Sequence, residues 1–325
     1  MVYQIHIAPM MGYTHKHFRF LMRRLCPNAL LYTEMVTTGA LLYGDASAHL
    51  SYDCSERPVV LQLGGNDPVS LAKCAKMAQD YGYSQVNFNV GCPSSRVQEG
   101  GIGACLYPSY ELVSQCVQSM NDAVDIPVSV KCRIGVDDCD DFDYLLKFTE
   151  SLQVSGCDFI VIHARKAWLK GLSPKQNRTI PPLRYDVVSR LSDLVDMPVI
   201  LNGGLVCLDE IQAQLSVFPG VMIGRFAVNH PMRISRLDQM LYGSSVDYLS
   251  ALESYFLYMN QQIDQGEKIS FLLQPLHGFF RSFPGSKHWR SHVNSIVKAV
   301  VEEHKKPSCL LDATLLKAEH YLSLS

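Results

Sequence analysis

Eight short apolar runs recur along the first three-quarters of the chain, at residues 5–10, 30–36, 58–63, 85–90, 127–134, 159–164, 198–201 and 220–224. Polar loops and helical patterns follow them, and parallel strands need such crossovers, usually helical, to join them. Eight units of this kind are what a closed barrel requires. The expected fold is therefore α/β, a (β/α)8 TIM barrel over residues 1–243 followed by a C-terminal helical domain over residues 244–325. Between the third and fourth runs, Leu71, Cys74, Ala75 and Ala78 fall at i, i+3, i+4 and i+7, with Asp67 as N-cap and Pro68 at the first helical position. Residues 109–123 and 140–154 read in the same way. An open doubly wound sheet is the alternative, but its G-x-G-x-x-G fingerprint does not follow the first run, which ends in Ala8-Pro9-Met10-Met11.

The chain has 325 residues, which suits a barrel of about 250 residues plus an appendage. After Gly243 the strand pattern stops. Residues 246–263 and 293–301 read as helices, joined through a Gly- and Pro-containing connector at 277–285. The net charge is −2, from 29 basic and 31 acidic residues, so any polyanionic partner must be held by a local patch rather than a global field. The 11 cysteines include no C-x-x-C pair and no zinc-like spacing with histidine, which points away from a disulfide framework or a structural metal and towards a reducing compartment. No window approaches the ~18 apolar residues of a membrane span. The expectation is a cytoplasmic protein without membrane or metal, taken as a monomer.

Polar residues and glycines concentrate at the C-terminal ends of the runs, where barrel enzymes keep their sites. They are Pro9 to Met11, Glu34, Gln62, Asn89 with Cys92, Lys131 with Arg133, His163 with Arg165, Asn202 with Gly203 and Gly204, and Gly224 with Arg225. Most free cysteines are small buried hydrophobes. Cys92 differs in placement: Val86, Phe88 and Val90 alternate with Asn87, Asn89 and Gly91, Pro93 forces the chain out of the strand, and Gly100, Gly101 and Gly103 read as a mobile, lid-like loop. Cys92 is thus the candidate reactive centre. The glycines after the seventh and eighth runs match a barrel's usual phosphate site, where backbone N–H groups approach an anion. In the last quarter, eight basic residues balance eight acidic ones, but Lys287, His288, Trp289 and Arg290 form a compact cluster beside Arg281 and His292, suited to gripping phosphates and stacking a base.

A lysine and a histidine facing an anion-binding mouth suit a flavin, because a cation near N1 and C2=O stabilises its anionic reduced ring. Lys131 equally suits a Schiff-base nucleophile, and the residues by themselves leave both open.

The segments LYTEMVTTGA, LQLGGNDP, NFNVGCPSSRVQEGGIGACL, VKCRIGVDD, IHARKAWLKGLSPKQNRTIPPL, LNGG and VMIGR resemble those of tRNA-dihydrouridine synthases, most of all their A subfamily. The likeness runs from Ile7 to about Gly243, and HGFFRSFPGSKHWR extends it further. It implies FMN bound through Pro9, Met10, Met11, Gln62, Lys131, His163, Asn202, Gly203, Gly204, Gly224 and Arg225, with NADPH as reductant. It also implies Cys92 as the catalytic acid, and tRNA met by Asn89, Arg178, Lys287 and Arg290. Two departures stand out: Gly12-Tyr13 replaces the usual acidic–aromatic pair, and Phe226 stands where the subfamily often has Glu.

The implied reaction reduces the C5=C6 bond of a uridine in tRNA, in the D-loop at position 20 and 20a. Hydride reaches C6 from the flavin and a cysteine protonates C5. A free thiol of pKa about 8.5 is mostly protonated at neutral pH, which suits an acid. The stacked base must be drawn out of the RNA to react. Two rivals remain at this level. One is a flavin barrel acting on a free pyrimidine, such as a dihydroorotate or dihydropyrimidine dehydrogenase, and the other is a flavin-free RNA-binding or chaperone protein on a barrel scaffold.

Overall fold

The computed structural model of the protein describes residues 3–281, 283, 285–301 and 307–323. Residues 282 and 284 of the connector expected at 277–285 lie outside them, as do 302–306 and 324–325 of the expected helical domain. The strands are β1 (Ile5–Ile7), β2 (Leu30–Thr37), β3 (Val59–Gly64), β4 (Gln85–Asn89), β5 (Val128–Arg133), β6 (Phe159–His163), β7 (Val199–Asn202) and β8 (Val221–Ile223). All neighbours are parallel and the order is sequential. The barrel closes where β1 meets β8, with Ile5, His6 and Ile7 opposite Val221, Met222 and Ile223. Every expected strand is present, with ends shifted by a few residues.

Strand parity explains why these segments pair in this register. Side chains alternate across a strand, and in a barrel one set faces the helices and the other the interior. Ile5, Ile7, Leu61, Val86, Phe88, Val130, Ile160, Ile162, Leu201, Val221 and Ile223 form the first set, all fully or almost fully buried. Of the second set, Ala8, Leu30, Tyr32, Val60, Phe159, Val161, Ile200 and Met222 pack into one cluster, against which Tyr3 and Met10 rest. His6 joins this floor. Its Nε2 donates to the Tyr3 carbonyl (2.8 Å), so Nδ1 accepts from the Tyr32 hydroxyl (3.0 Å), and burial lowers the imidazole pKa to about 4.

The helix Pro68–Tyr81 starts and stops for the reasons its sequence suggests. Asp67 accepts from the Ser70 amide (2.9 Å), Pro68 opens the first turn, and Gly82 closes the helix with φ +90°. The helices Tyr110–Asn121 and Phe142–Val154 occupy the other expected stretches. The glycine-rich stretch after Cys92, read from sequence as a loop, instead folds into a short helix Ser95–Glu99 and a 3-10 turn Gly103–Leu106.

By compactness the chain divides into two units, one of residues 1–11 and 30–224 and the other of residues 12–29 and 225–325. The sequence expectation drew a single seam after Gly243. Two segments account for the difference: the helix Lys16–Leu25, and the helices Arg225–Asn229 and Pro231–Tyr242, all grouped with the C-terminal helices. Within this second unit Phe20 stacks on Tyr258 with ring centroids 3.8 Å apart, and the Tyr258 hydroxyl meets His17 Nδ1 at 2.8 Å. Periodicity reveals that Lys16–Leu25 has an apolar face but not which neighbour buries it.

Trp289 anchors the same unit. It is fully buried, donates from its indole N–H to the Leu276 carbonyl (2.7 Å) and meets Phe280 edge-on at 4.8 Å. Its helix, Ser286–Val301, begins before the expected residue 293, and a further helix, Pro307–Ser323, was not anticipated. No helix among the described residues is long and apolar enough to cross a membrane. Trp289→Ala should lower the unfolding free energy by about 3–5 kcal/mol, the usual cost of truncating a buried aromatic. Urea titration followed by circular dichroism checks this, and a loss below about 1 kcal/mol would contradict the buried placement.

Candidate active site

The inward residues near the C-terminal ends of the strands turn from apolar to polar. Gln62 and Asn89 are almost fully buried, and the Asn89 Nδ2 donates to Gln62 Oε1 at 2.8 Å. Gln62 Nε2 donates to Asn87 Oδ1 (2.7 Å) and Asn87 Nδ2 to Ser129 Oγ (2.9 Å), so a line of amides crosses β3, β4 and β5. At its upper end, Asn89 Oδ1 accepts from the backbone amides of Gly91 (3.1 Å) and Cys92 (3.0 Å). This clamp lifts the chain out of β4 and sets the position of the Cys92 thiol.

Cys92 is half-buried, with Sγ 3.7 Å from Ser94 Oγ. Its carbonyl accepts from the Ala104 amide (2.9 Å), and a Cβ on Gly103 would lie 2.7 Å from that oxygen, so only glycine admits the close return of the chain there. Cys132, on the outward face of neighbouring β5, is fully buried and pushed by burial up to about 12. Of these two cysteines, only Cys92 is placed to meet a ligand.

Two cations, Lys131 and Arg133, stand on neighbouring inward positions of β5. Lys131 Nζ donates to Asn202 Oδ1 (3.0 Å), and Asn202 Nδ2 donates to the Met222 carbonyl (2.7 Å). Burial, then the Arg133 guanidinium, hold the Lys131 ammonium down to about 8. Arg133 is 5% exposed and donates to three backbone carbonyls, those of Gly91, Lys166 and Asn177. Burial is the main cause that pushes it down to about 10, with Arg178 and Arg165 adding to the effect and Cys92 opposing it. Among the described residues neither cation forms an ion pair with a carboxylate. His163 is held well below its ordinary value by burial first, then by Arg133, Lys131 and Arg165, so its ring is neutral. Its buried Nδ1 has no hydrogen-bond partner among the described residues.

The glycines of the mouth differ in what they permit. Gly203 (φ +106°) lies under the His163 ring, where a Cβ would come within 3.0 Å of Nε2. Gly204 (φ +74°) faces Leu183 and Tyr185, and the Tyr185 hydroxyl donates to the Gly203 carbonyl at 2.7 Å. Gly224 is open, its nearest neighbour being Met10 Sδ at 3.4 Å from a built Cβ. Pro9 and Met10 are half-buried, and Met11 is 66% exposed. Arg225 opens the helix Arg225–Asn229 and belongs to the second unit.

The barrel unit therefore joins Gln62 to Asn89, Asn89 to the Cys92 amide, Lys131 to Asn202, His163 to Gly203, and Met10 to Gly224. Arg178 sits exposed at the end of a 3-10 turn, Gln176–Arg178, electrostatically linked to Arg133. Sequence reasoning gave no role to Asn87 or Ser129 and named Arg133 only as a polar strand-end residue, although all three share the inward parity of Asn89 and Lys131, a signal that was available. Gln98, in the helix Ser95–Glu99, and Asn177, in the 3-10 turn Gln176–Arg178, lie in elements too short to show a period.

In the second unit, Lys287 and Arg290 line an open groove of about 680 Å³ with Arg281, His277, Tyr13 and Asn294. Lys287, Arg290, Ser291 and Asn294 fall at i, i+3, i+4 and i+7 and share one helix face. Trp289 points to the opposite, buried side. The expectation that it stacks a base beside Lys287 and Arg290 is thus corrected by the helical period itself. Among the described residues no three His, Cys, Asp or Glu side chains come together as a metal site.

A family profile described as dihydrouridine synthase (Dus) matches residues 6–315. The chain is 45% identical to the tRNA-dihydrouridine(20/20a) synthase of Shewanella oneidensis over 89% of its own length and 87% of the relative's. It is 44% identical to the protein of the same name in Escherichia coli O6:H1, over 90% and 89%. Among solved structures, an old yellow enzyme homologue from Zymomonas mobilis shares the barrel fold, with a TM-score of 0.53 at 11% identity over 75% of this chain and 90% of that one.

The Lys131 amine carries a pH test. Its pKa is about 8 when folded and near the ordinary 10.5 when unfolded. Between those values the unfolded chain holds a proton that the folded one lacks, so rising pH favours folding from this site. Relative to Lys131→Met, the ligand-free protein should therefore gain stability from about pH 8 towards pH 10. Urea midpoints of the two proteins across that range check it, and a constant difference would overturn the assignment.

Proposed function

Because the chain belongs to the dihydrouridine synthase family, we propose that it reduces the C5=C6 bond of uridine in tRNA, at D-loop positions 20 and 20a. FMN is the bound cofactor, NADPH the reductant and Cys92 the acid. The observation that carries this reading is the half-buried Cys92 thiol, amide-clamped at a mouth where, among the described residues, Lys131 and Arg133 form no ion pair with a carboxylate and His163 Nδ1 has no hydrogen-bond partner. The same features fit FMN. A planar group rich in carbonyls and ring nitrogens satisfies Lys131, Gln62 and His163, and its phosphate suits the backbone at Gly203, Gly204 and Gly224 and the charge of Arg225. Pro9, Met10, Met11 and Asn202 complete the proposed cradle.

When bound and reduced, FMN supplies hydride to C6 of the base. Cys92 Sγ then gives its proton to C5, so that one hydride and one proton add across the double bond and the sulfur is left as thiolate. Asn89 holds the Cys92 amide while this occurs and, with Arg178, meets the extruded uridine. Lys287 and Arg290 hold the RNA backbone through charge and hydrogen bonds rather than base stacking. The enzyme acts in the cytoplasm, as a monomer and without metal.

Purified protein should be yellow, oxidise NADPH and form dihydrouridine in an unmodified tRNA transcript but not in free uracil; turnover of free uracil would instead favour a pyrimidine dehydrogenase. Cys92→Ala should keep flavin absorbance and NADPH-driven reduction while product formation falls by about 10²–10⁴-fold. Wild-type yield of dihydrouridine from that variant would remove Cys92 from its role. The double substitution Lys287→Ala and Arg290→Ala should leave FMN bound and lower by about 2 the slope of log affinity for tRNA against log salt. An unchanged slope would count against the groove as the RNA grip.

A further inference from the structure

Cys92 lies between Gly91 and Pro93, and the carbonyls of both neighbours are held by side chains that also hold the loop following β6. Arg133 donates from Nε to the Gly91 carbonyl (3.0 Å) and from Nη1 to the carbonyls of Lys166 (3.2 Å) and Asn177 (3.0 Å). Gln98 spends both hydrogens of Nε2 in the same way, on the carbonyls of Pro93 (2.9 Å) and Leu169 (3.0 Å). The thiol is thereby tied to the β6 loop on each side, by one buried cation and one amide.

That loop is itself a single body. Asn177 is fully buried, donates to the carbonyls of Trp168 (2.8 Å) and Leu172 (3.2 Å) and accepts from the Trp168 amide (2.8 Å). Leu169 N donates to Asp137 Oδ1 (2.8 Å) and Lys166 pairs with Asp140 (2.7 Å), which fixes it to the loop after β5 as well. Over residues 164–183 it carries Arg165, Lys166, Lys170, Lys175 and Arg178 and neither Asp nor Glu. It is the basic surface nearest in bonding terms to Cys92.

We propose that Arg133 and Gln98 are positioning residues that lock the thiol-bearing loop to the basic β6 loop, so that a polyanion held by the latter is registered against Cys92 Sγ. This rests on the reading of Cys92 as the acid. Neither side chain touches the reacting atoms; both act through the backbone on either side of the sulfur. Proton transfer from a loop-borne group depends on placement to within a fraction of an ångström, which a loop tethered at only one point does not secure.

The test uses the flavin-loaded enzyme with NADPH and an unmodified tRNA transcript. Gln98→Leu should lower kcat for dihydrouridine formation roughly tenfold, with KM for tRNA and the rate of flavin reduction held within about twofold. Gln98→Lys, which restores N–H donors at similar reach, should recover most of the lost kcat, and Gln98→Glu, which sets an acceptor against two carbonyls, should not. Arg133→Lys should lose kcat as well, and the double variant with Gln98→Leu should lose less than the product of the single losses, since both act on one loop. Wild-type kcat in Gln98→Leu, equal losses in Gln98→Leu and Gln98→Lys, or a loss confined to KM would each overturn the tether. A wild-type enzyme that forms no dihydrouridine would overturn the functional reading and the tether with it, whereas an active wild type with an indifferent Gln98→Leu overturns the tether alone.

Discussion

A strand buried on both faces has nowhere to put a polar side chain except where another polar group awaits it. In this barrel the outward positions meet helices and the lower inward positions meet one another, so both are mostly apolar, and a polar ring there, His6, is hydrogen-bonded to Tyr3 and Tyr32. Polar inward residues are therefore driven towards one end. Gln62, Asn87, Asn89, Ser129, Lys131, Arg133, His163 and Asn202 all share the inward parity, and they find partners chiefly among themselves and the strand-end backbone. The site is a consequence of the fold's alternation, added to by loops that rest on it.

Among the described residues, the charge of Arg133 is met by carbonyl dipoles rather than by carboxylates. A buried guanidinium is costly unless its donors are met. Arg133 meets three carbonyl oxygens, and hydrogen bonds to a charged group contribute about 1.5–3 kcal/mol each, enough to offset much of that cost. A carboxylate in the same place would have cancelled the field. Carbonyls satisfy the geometry and leave the positive charge in force. The depressed Lys131 ammonium and the neutral His163 owe their shifts first to burial and then to that same field.

Much of this was legible before any coordinates. Short apolar runs located all eight strands, Asp67 and Pro68 marked a helix start, and the Asn-x-Gly-Cys-Pro stretch located Cys92, because each signal is local and survives whatever packs around it. What escaped depends on non-local partners. The helix Lys16–Leu25 shows an apolar stripe in sequence, but its burial against Tyr258 depends on a residue more than two hundred positions away. Trp289 looked like part of a basic surface because its neighbours in sequence are charged; extending the helix back to Ser286 turns it inward. The glycines at 100–103 suggested looseness, yet Gly103 is there because the Cys92 carbonyl passes too close for a side chain. Gln98 and Asn177 act on carbonyls, which every residue has, so no pattern of residue types points to them.

Asn89 shows how far counting donors and acceptors constrains the chemistry. A primary amide offers two acceptor lone pairs and two N–H donors. The oxygen of Asn89 already takes the amides of Gly91 and Cys92, and one Nδ2 hydrogen goes to Gln62. One N–H remains. If Asn89 also meets the uridine, it must do so as a donor, and the groups on a uracil edge able to receive it are the carbonyl oxygens. Gln62 keeps one lone pair and one N–H by the same count, having given its Nε2 to Asn87 and taken Asn89 at its oxygen. It can therefore both give and receive across a ring edge that presents a nitrogen beside a carbonyl, as a flavin does. Exchanging Asn89 for Asp would retain the oxygen that clamps Cys92, would reverse the one remaining contact from donor to acceptor, and would also remove the N–H that Gln62 Oε1 now accepts. The clamp on Cys92 thus resides on the oxygen of this side chain, and the N–H left for a ligand on its nitrogen.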